Sequence, residues 1–173
     1  MDNTSYDSSV ISAAIEPGEY QDFTGYICHW DGMVEGYVEY AWFDLAENNG
    51  VNMATMHWHD GIWISGHCHG ACWSGGIWKS GTFSEGNWYG GDWLDGTFDC
   101  GVWIDGAWGG GLFDCSQWRN GVWADGIFRE SAWLNGRWLD GRWENSIWID
   151  EKGICNKMDK SRWRRIRLEK HFY

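Results

Sequence analysis

Six residues near position 60 have side chains that metal ions prefer in proteins: His57, His59, His67, His69, Cys68 and Cys72. Zinc sites built from such ligands show paired spacings, such as C-x2-C with H-x3–5-H, and this segment has none. We therefore interpret the histidines as polar residues that flank a repeated core position. The sequence predicts no metal and no cofactor, with a site at the four histidines as the alternative.

The cysteines could also do chemistry. Cys100 and Cys115 could form a redox pair or act as nucleophiles, but no basic residue or histidine is adjacent in sequence to lower a thiol pKa. The six cysteines lack the spacing of a disulfide scaffold, so we interpret them as reduced, small apolar fillers, with Cys100 and Cys115 on the repeat surface. The sequence contains no phosphate loop, nucleophile elbow or H-E-x-x-H motif. We predict that the chain is not an enzyme.

Charge is divided unevenly along the chain, which carries a net charge of −12. Residues 1–57 contain ten acidic and no basic residues, residues 58–148 eleven acidic and five basic ones, and residues 149–173 four acidic and eight basic ones. The three parts therefore carry −10, −6 and +4. Such polarity along one chain is an argument about partners rather than about the fold.

The basic tail combines cations with an aromatic ring at Arg162, Trp163, Arg164, Arg165 and Arg167. This composition suits a nucleic acid, with the indole stacking on a base. It equally suits the acidic N-terminal part of a neighbouring copy, and we favour that protein partner. Neither a run of 18 apolar residues nor a basic-then-apolar leader is visible, so we expect no membrane contact and no signal peptide.

Between residues 58 and 148 a large residue recurs at every fifth position, and all but Cys68 are aromatic. Gly, Ala or Ser lies two positions before each of them from Trp63 onward. Internal repetition of this kind determines how the rest of the chain is interpreted. The series is Trp58, Trp63, Cys68, Trp73, Trp78, Phe83, Trp88, Trp93, Phe98, Trp103, Trp108, Phe113, Trp118, Trp123, Phe128, Trp133, Trp138, Trp143 and Trp148.

A period of five fits neither an amphipathic helix nor a straight strand, so the chain has to turn at every repeat. Pairs such as Asp105-Gly106 supply residues that tolerate positive φ at these turns. One solution is a β-solenoid with the rings inside and coils about 4.8 Å apart. The other is a meander of three-residue strands, which bury too little to form a stable sheet. We favour the solenoid, with the tryptophans from Trp63 to Trp143 stacked in its core.

The spacing and size pattern over residues 58–150 resemble those of pentapeptide-repeat proteins. The resemblance implies a right-handed, four-sided β-solenoid with a large inward residue at the centre of each repeat and a small one two positions earlier. Those proteins have Leu or Phe at the centre and Ala before it, whereas this chain has Trp and Gly. The exchange nearly conserves interior volume, because a larger ring is offset by a smaller partner.

A second period of fifteen residues relates Phe83, Phe98, Phe113 and Phe128. It suits a three-sided coil of fifteen residues. Three indoles, however, need about 500 Å³ per coil, more than such a triangle encloses at ordinary packing density. We therefore predict four sides, with the three-sided coil as the alternative.

The flanks divide the chain into three parts. Residues 1–57 are predicted to form an acidic arm and a β-hairpin cap, residues 58–150 the solenoid, and residues 151–173 a basic tail. Period-two alternation around an Asp-Gly pair at 31–32 indicates the hairpin. The residues expected on one face of its second strand are Val34, Val38, Tyr40 and Trp42.

The pattern favours a non-enzymatic structural or attachment protein that uses the solenoid as a rigid spacer or binding surface. The array also resembles Trp/Gly-rich five-residue repeats of predicted phage proteins, which implies a virion component. We expect protein partners, either further copies or a larger viral particle, in the virion or the host cytoplasm. One alternative is an acidic inhibitor that mimics DNA, as some pentapeptide-repeat proteins do toward type II topoisomerases. The other is a carbohydrate-binding adhesin.

Overall fold

The computed structural model describes residues 21–28, 34–48, 51–150 and 153–156, and these residues form an all-β structure. The predicted arm at 1–20 and the basic tail from residue 157 lie outside them. No helix in the described ranges is long and apolar enough to cross a membrane. Three long strands come first: β1 (Gln21–Cys28), β2 (Val34–Asn48) and β3 (Val51–His69).

Strands β4 to β20 are each only two to four residues long. They are β4 (Cys72–Trp73), β5 (Ile77–Trp78), β6 (Thr82–Ser84), β7 (Asn87–Trp88), β8 (Asp92–Trp93), β9 (Thr97–Asp99), β10 (Val102–Trp103), β11 (Ala107–Trp108), β12 (Leu112–Asp114), β13 (Gln117–Trp118), β14 (Val122–Trp123), β15 (Ile127–Arg129), β16 (Ala132–Trp133), β17 (Arg137–Trp138), β18 (Arg142–Glu144), β19 (Ile147–Asp150) and β20 (Gly153–Asn156).

The short strands of the array pair in parallel with strands fifteen residues away. Trp103, for example, lies opposite Trp88 in one neighbouring strand and Trp118 in the other. The same register joins β11 to β14 and β12 to β15. The chain is therefore a parallel β-solenoid of about six coils, with three five-residue repeats in each coil. The predicted repeat architecture is confirmed, while the handedness stays a prediction.

The prediction of a four-sided coil is corrected by this register, because four five-residue sides would pair residues twenty apart rather than fifteen. The rings fit the smaller coil because they stack flat. Along the stack of every fifteenth residue from Trp58 to Trp133, ring centroids in neighbouring coils lie 4.4–5.0 Å apart, and their planes are within 7° of parallel. This separation matches the spacing of strands in a sheet, so each ring occupies only the layer of its own coil.

The core consists of three columns of stacked side chains, named here columns A, B and C. Rings of different columns meet edge to face, as Trp103 and Trp108 do at 5.6 Å and 80°, an arrangement that aromatic pairs favour. Exposure is at most 1% from Trp58 to Trp133, whereas Trp143 and Trp148 in the last coil are partly buried. Column A contains Trp58, Trp73, Trp88, Trp103, Trp118, Trp133 and Trp148; column B contains Trp63, Trp78, Trp93, Trp108, Trp123 and Trp138; column C contains Cys68, Phe83, Phe98, Phe113, Phe128 and Trp143.

Glycine is required where the coil turns between columns A and B. Gly106 has a φ of 124°, and a Cβ there would lie 2.6 Å from the carbonyl oxygen of Gly91 in the preceding coil. The same Cβ would come within 3.2 Å of the Trp88 indole nitrogen. Glycines with similar φ also turn the chain between columns B and C, for example Gly111 and Gly126. The missing side chains allow both the backbone bend and the close approach of neighbouring coils.

The third corner, between columns C and A, is built differently. It uses left-handed residues other than glycine, among them Cys100 and Cys115, followed by a buried small residue such as Ser116. The Ser131 hydroxyl accepts the N–H of Ser116 at 3.0 Å and donates to the Arg129 carbonyl at 2.6 Å. The same arrangement recurs one coil earlier and one coil later. These serines, predicted only as small residues, form a hydrogen-bonded ladder that satisfies buried backbone groups.

Strand β2 covers the first coil. It runs antiparallel to β3 and places Val34, Val38 and Phe43 opposite Cys68, Trp63 and Trp58, the first members of the three columns. The Phe43 ring is nearly parallel to that of Trp58, with 6.1 Å between centroids. Strand β1 pairs antiparallel with β2 in turn. The N-terminal end of the core is thus closed by apolar side chains.

A bulge in β2 reverses part of the predicted face pattern. The pairing with β3 shifts register between Glu39 and Trp42, and Tyr40 has a φ of 52°. Val34 and Val38 are buried as expected, but Tyr40 and Trp42 are 68% and 36% exposed. The prediction that all four share a face is wrong, because one extra residue in a bulge moves every later side chain to the opposite face.

Iodide should quench little of the tryptophan emission of the folded chain. Iodide is charged and does not enter a dry core, and the column tryptophans up to Trp133 are at most 1% exposed. Stern–Volmer titration of the folded and the urea-unfolded chain measures this, with the unfolded chain as control for intrinsic quenching. Efficient quenching of most folded-state emission would contradict the inward orientation and favour the carbohydrate-binding alternative.

Candidate interaction surface

The residues immediately before and after each core ring point outward, because side chains alternate along a strand. They form three outer faces, named here side A, side B and side C after the core column behind each face. Each face is a narrow parallel sheet whose backbone is hydrogen-bonded from coil to coil, for example by Ala124 N–H to Trp108 O at 2.8 Å. Function therefore depends on which side chains these flat surfaces present.

Side A is almost uncharged. Between residues 72 and 134, all of which the structure describes, Arg119 is the one charged residue at its outward positions. Tyr89 is 48% exposed on this side. The other outward residues are Cys72, Ser74, Asn87, Val102, Ile104, Gln117, Ala132 and Leu134.

Side B has a flat apolar centre. Its outward residues there are Ala107, Gly109, Val122 and Ala124, with Leu94 one coil earlier. Leu94 and Val122 are 51% and 39% exposed. The charged residues on this side are Lys79, Arg137 and Asp92, the last of which pairs with Ala107.

Most exposed large apolar side chains of the described residues lie on these two sides or at the corner between them, whereas the exposed Tyr37 pairs with Ser65 at the corner between sides B and C. Tyr40 and Trp42 of the cap lie at the corner between sides A and B, since Trp42 pairs with Asp60 and Tyr40 follows Glu39, which pairs with Ile62. Together with Tyr89, Leu94 and Val122, they define what we call the A–B surface. Low charge with exposed aromatic residues is typical of the centre of a protein interface. Tyr40, Tyr89, Leu94 and Val122 were not predicted as a site, although sorting outward positions by the fifteen-residue register would have found the last three.

Side C carries ion pairs beside the half-buried Leu112 and Ile127. The Arg129 guanidinium donates to the Asp114 carboxylate one coil earlier, with Nε 3.0 Å from Oδ1 and a second bond from the terminal nitrogen. This hydrogen bond, opposed in part by burial and assisted by the charge of Arg129, lowers the pKa of Asp114. Arg142 pairs with Glu144 in the same strand. Such pairs stabilise the surface modestly and leave little unbalanced charge.

The four histidines are divided between two sides. His57 and His59 flank the Asp44 carboxylate on side A, and His59 Nε2 lies 3.1 Å from Asp44 Oδ2. On side C, His67 Nε2 and His69 Nδ1 lie 2.9 Å and 3.0 Å from the Ser84 hydroxyl. No group of three or more metal-binding side chains occurs in the described residues. The structure therefore does not bring the candidate metal ligands together.

The acidic residues of the array are distributed over several corners and faces. Asp95, Asp125 and Asp140 lie at the corner between sides B and C, and Asp105 at the corner between sides A and B. Many serve the turn itself, as Asp105 Oδ1 accepts the N–H of Gly106 at 2.8 Å. On side C the acids are interrupted by Arg129. A DNA mimic requires a continuous acidic stripe, and the described outward positions do not form one.

The two ends of the solenoid are covered to different extents. At the N-terminal end β2 lies over all three columns. At the C-terminal end β20 pairs antiparallel with β19 on side A, and Trp143 and Trp148 remain partly buried. The predicted partner-binding residues of the tail, Arg162 to Arg167, lie beyond this point and outside the described residues. Cys100 and Cys115 are both exposed on the repeat surface, whereas Cys68 is fully buried.

Comparisons of the chain with protein-family models, with curated proteins and with solved structures find no match.

Proposed function

We propose that this chain is a non-enzymatic structural or attachment protein whose solenoid holds a flat, nearly uncharged protein-binding surface in a fixed orientation. The observation that carries this proposal is the A–B surface. Its exposed aromatic and aliphatic side chains stand on a hydrogen-bonded sheet, whereas side C carries paired charges. A surface of this composition suits burial against another protein.

The construction of the core supports a spacer role. Six coils at about 4.8 Å each give a rod roughly 30 Å long. Stacked rings and a continuous backbone ladder leave little freedom for bending, since each coil is hydrogen-bonded to the coils before and after it. A partner on the A–B surface would therefore be held at a defined distance from whatever binds the C-terminal end of the solenoid.

We also propose which kind of assembly the chain belongs to. The resemblance of the array to Trp/Gly-rich five-residue repeats of predicted phage proteins favours a virion component. The charge division supports association of copies, because residues 1–57 carry −10 and residues 149–173 carry +4. Head-to-tail contact would bring opposite charges together and would select orientation more than affinity.

We expect the full-length chain to associate, and a charged A–B surface to weaken that association. A double variant, Tyr89→Asp with Leu94→Asp, places two carboxylates on the surface. The matched control, Thr82→Asp with Thr97→Asp, adds the same charge to side C. Sedimentation velocity should show a lower average mass for the first variant at concentrations where wild type and control associate. Equal sedimentation of all three would contradict the A–B surface as the interface.

A second arm of this experiment tests the tail. Deletion from Lys160 onward should abolish association without changing the β-sheet circular dichroism of the array, and raised salt should weaken the wild-type contact. A full-length chain that stays monomeric at every salt concentration, with no partner recovered by pull-down, would defeat the subunit proposal. That result would favour the inhibitor hypothesis instead.

A further inference from the structure

Two cysteines lie one above the other at the corner between sides C and A. The pairing of β9 with β12 before this corner and of β10 with β13 after it places Cys100 directly opposite Cys115 in the next coil. Both residues are left-handed, with φ of 51° and 49°, so their side chains leave the backbone in the same direction. The Cys100 N–H donates to the Asp114 carbonyl at 3.1 Å, which fixes the two coils at this corner.

The spacing of the two coils suits a covalent link. Neighbouring strands lie about 4.8 Å apart, and disulfide-bonded cysteines have Cα atoms about 4.4–6.8 Å apart. Equivalent corners in other coils carry Glu85, Glu130 or Asn145, with similar backbone φ. The corner therefore accepts different exposed side chains, and the turn does not require cysteine in two consecutive coils.

The thiols are reduced, exposed and in contact with each other. The Cys100 thiol hydrogen-bonds to the Asp99 carboxylate and to Cys115, and these bonds raise the pKa of Cys100 to about 12. A protonated thiol is a poor nucleophile, so the pair persists as two thiols until an oxidant acts on it. Access from solvent is open because both residues are exposed.

We propose that Cys100 and Cys115 are a reversible modification site that forms a disulfide between adjacent coils when it meets low-molecular-weight disulfides. One protein thiolate attacks the small disulfide, which gives a mixed disulfide and one released thiolate. The second protein thiolate then attacks the protein sulfur of the mixed disulfide, forms the inter-coil bond and releases a second small thiolate. The two protons of the cysteine thiols end on the released thiols, and the two cysteines are oxidised by two electrons.

The test uses the full chain and oxidised glutathione, followed by trypsin and mass spectrometry without reduction. Both cysteines fall in one tryptic peptide, residues 80–119, because no Lys or Arg lies between them. The wild-type peptide should lose two hydrogens and should carry little glutathione. In Cys100→Asn the glutathione adduct on Cys115 should rise on the order of tenfold, because the intramolecular second step is removed.

Asparagine is the matched replacement, since Asn145 occupies the equivalent corner with a φ of 46°. Unchanged circular dichroism would show that this variant folds. The oxidised wild type should also resist urea better than the oxidised variant, because the new bond closes a loop in the unfolded chain. Stable glutathione adducts on both wild-type cysteines, or a peptide of unchanged mass after full exposure to the oxidant, would overturn the proposal.

Discussion

Replacing Trp108 with alanine should lower the free energy of unfolding by about 3–5 kcal/mol. The indole is 1% exposed and lies between Trp93 and Trp123, with ring centroids 4.9 Å away on both sides. Its Nε1–H donates to the Asp125 carbonyl at 3.0 Å. The backbone ladder fixes the distance between coils, so neighbouring rings cannot close the cavity. Urea unfolding followed by far-ultraviolet circular dichroism measures the loss.

The control is Ile104→Ala in the same coil. Ile104 is half-buried and points outward on side A, so its truncation should cost about 1 kcal/mol, a fraction of the loss at Trp108. Both substitutions shorten a large apolar side chain in a strand environment, and they differ in the direction in which the side chain points. Equal losses at the two positions would refute the assignment of inward and outward faces.

The repeat architecture could be predicted because one physical requirement recurs at every fifth residue. A large ring needs a dry interior, and a small residue two positions earlier leaves room for it. The solenoid follows from these two needs together with Gly at the turns. The fifteen-residue period of Phe83, Phe98, Phe113 and Phe128 already contained the coil size, since these rings form one column.

The number of sides was predicted wrongly because total ring volume was compared with the coil as though rings could take any orientation. Because the rings stack flat, the distance between neighbouring coils limits the packing more than the volume of a ring does. The ring centroids of Trp103 and Trp88 are 4.9 Å apart, which matches the coil spacing. Glycine corners add further room, since a Cβ on Gly106 would lie 3.2 Å from the Trp88 indole nitrogen. A comparison of summed ring volumes with the volume of a coil takes neither the flat stacking nor the glycine corners into account.

The candidate surface was harder to predict than the core. Which outward residues share a face depends on the coil register, and the four-sided prediction would have placed Tyr89 and Ile104 on different faces. The bulge at Tyr40 is equally invisible to a period-two pattern, although it exposes two aromatic rings of the cap. The contact between Cys100 and Cys115 also needs the fifteen-residue register, because adjacency in sequence does not reveal it.

Gly106→Val should destabilise the chain by roughly 2–6 kcal/mol, because backbone strain and overpacking contribute about 1–3 kcal/mol each. A φ of 124° belongs to a region that side chains with a Cβ rarely enter. The added Cβ would also lie 2.6 Å from the Gly91 carbonyl oxygen, and that atom accepts the Ala107 N–H at 3.0 Å. Relieving the clash therefore requires the hydrogen bond from the Ala107 N–H to the Gly91 carbonyl to lengthen.

Gly110→Val is the matched control at the next corner of the same coil. Gly110 lies outside the positive-φ region, and the nearest atom to an added Cβ is the Leu94 carbonyl oxygen at an ordinary 3.6 Å. The equivalent position holds Asp95 one coil earlier and Asp125 one coil later, so side chains fit there. Urea unfolding should show a change within about 1 kcal/mol for this control. Equal destabilisation by the two valines would contradict this explanation. It would mean that any loss of glycine at a corner destabilises the chain, whether or not the adjacent coil lies as close as it does at Gly106.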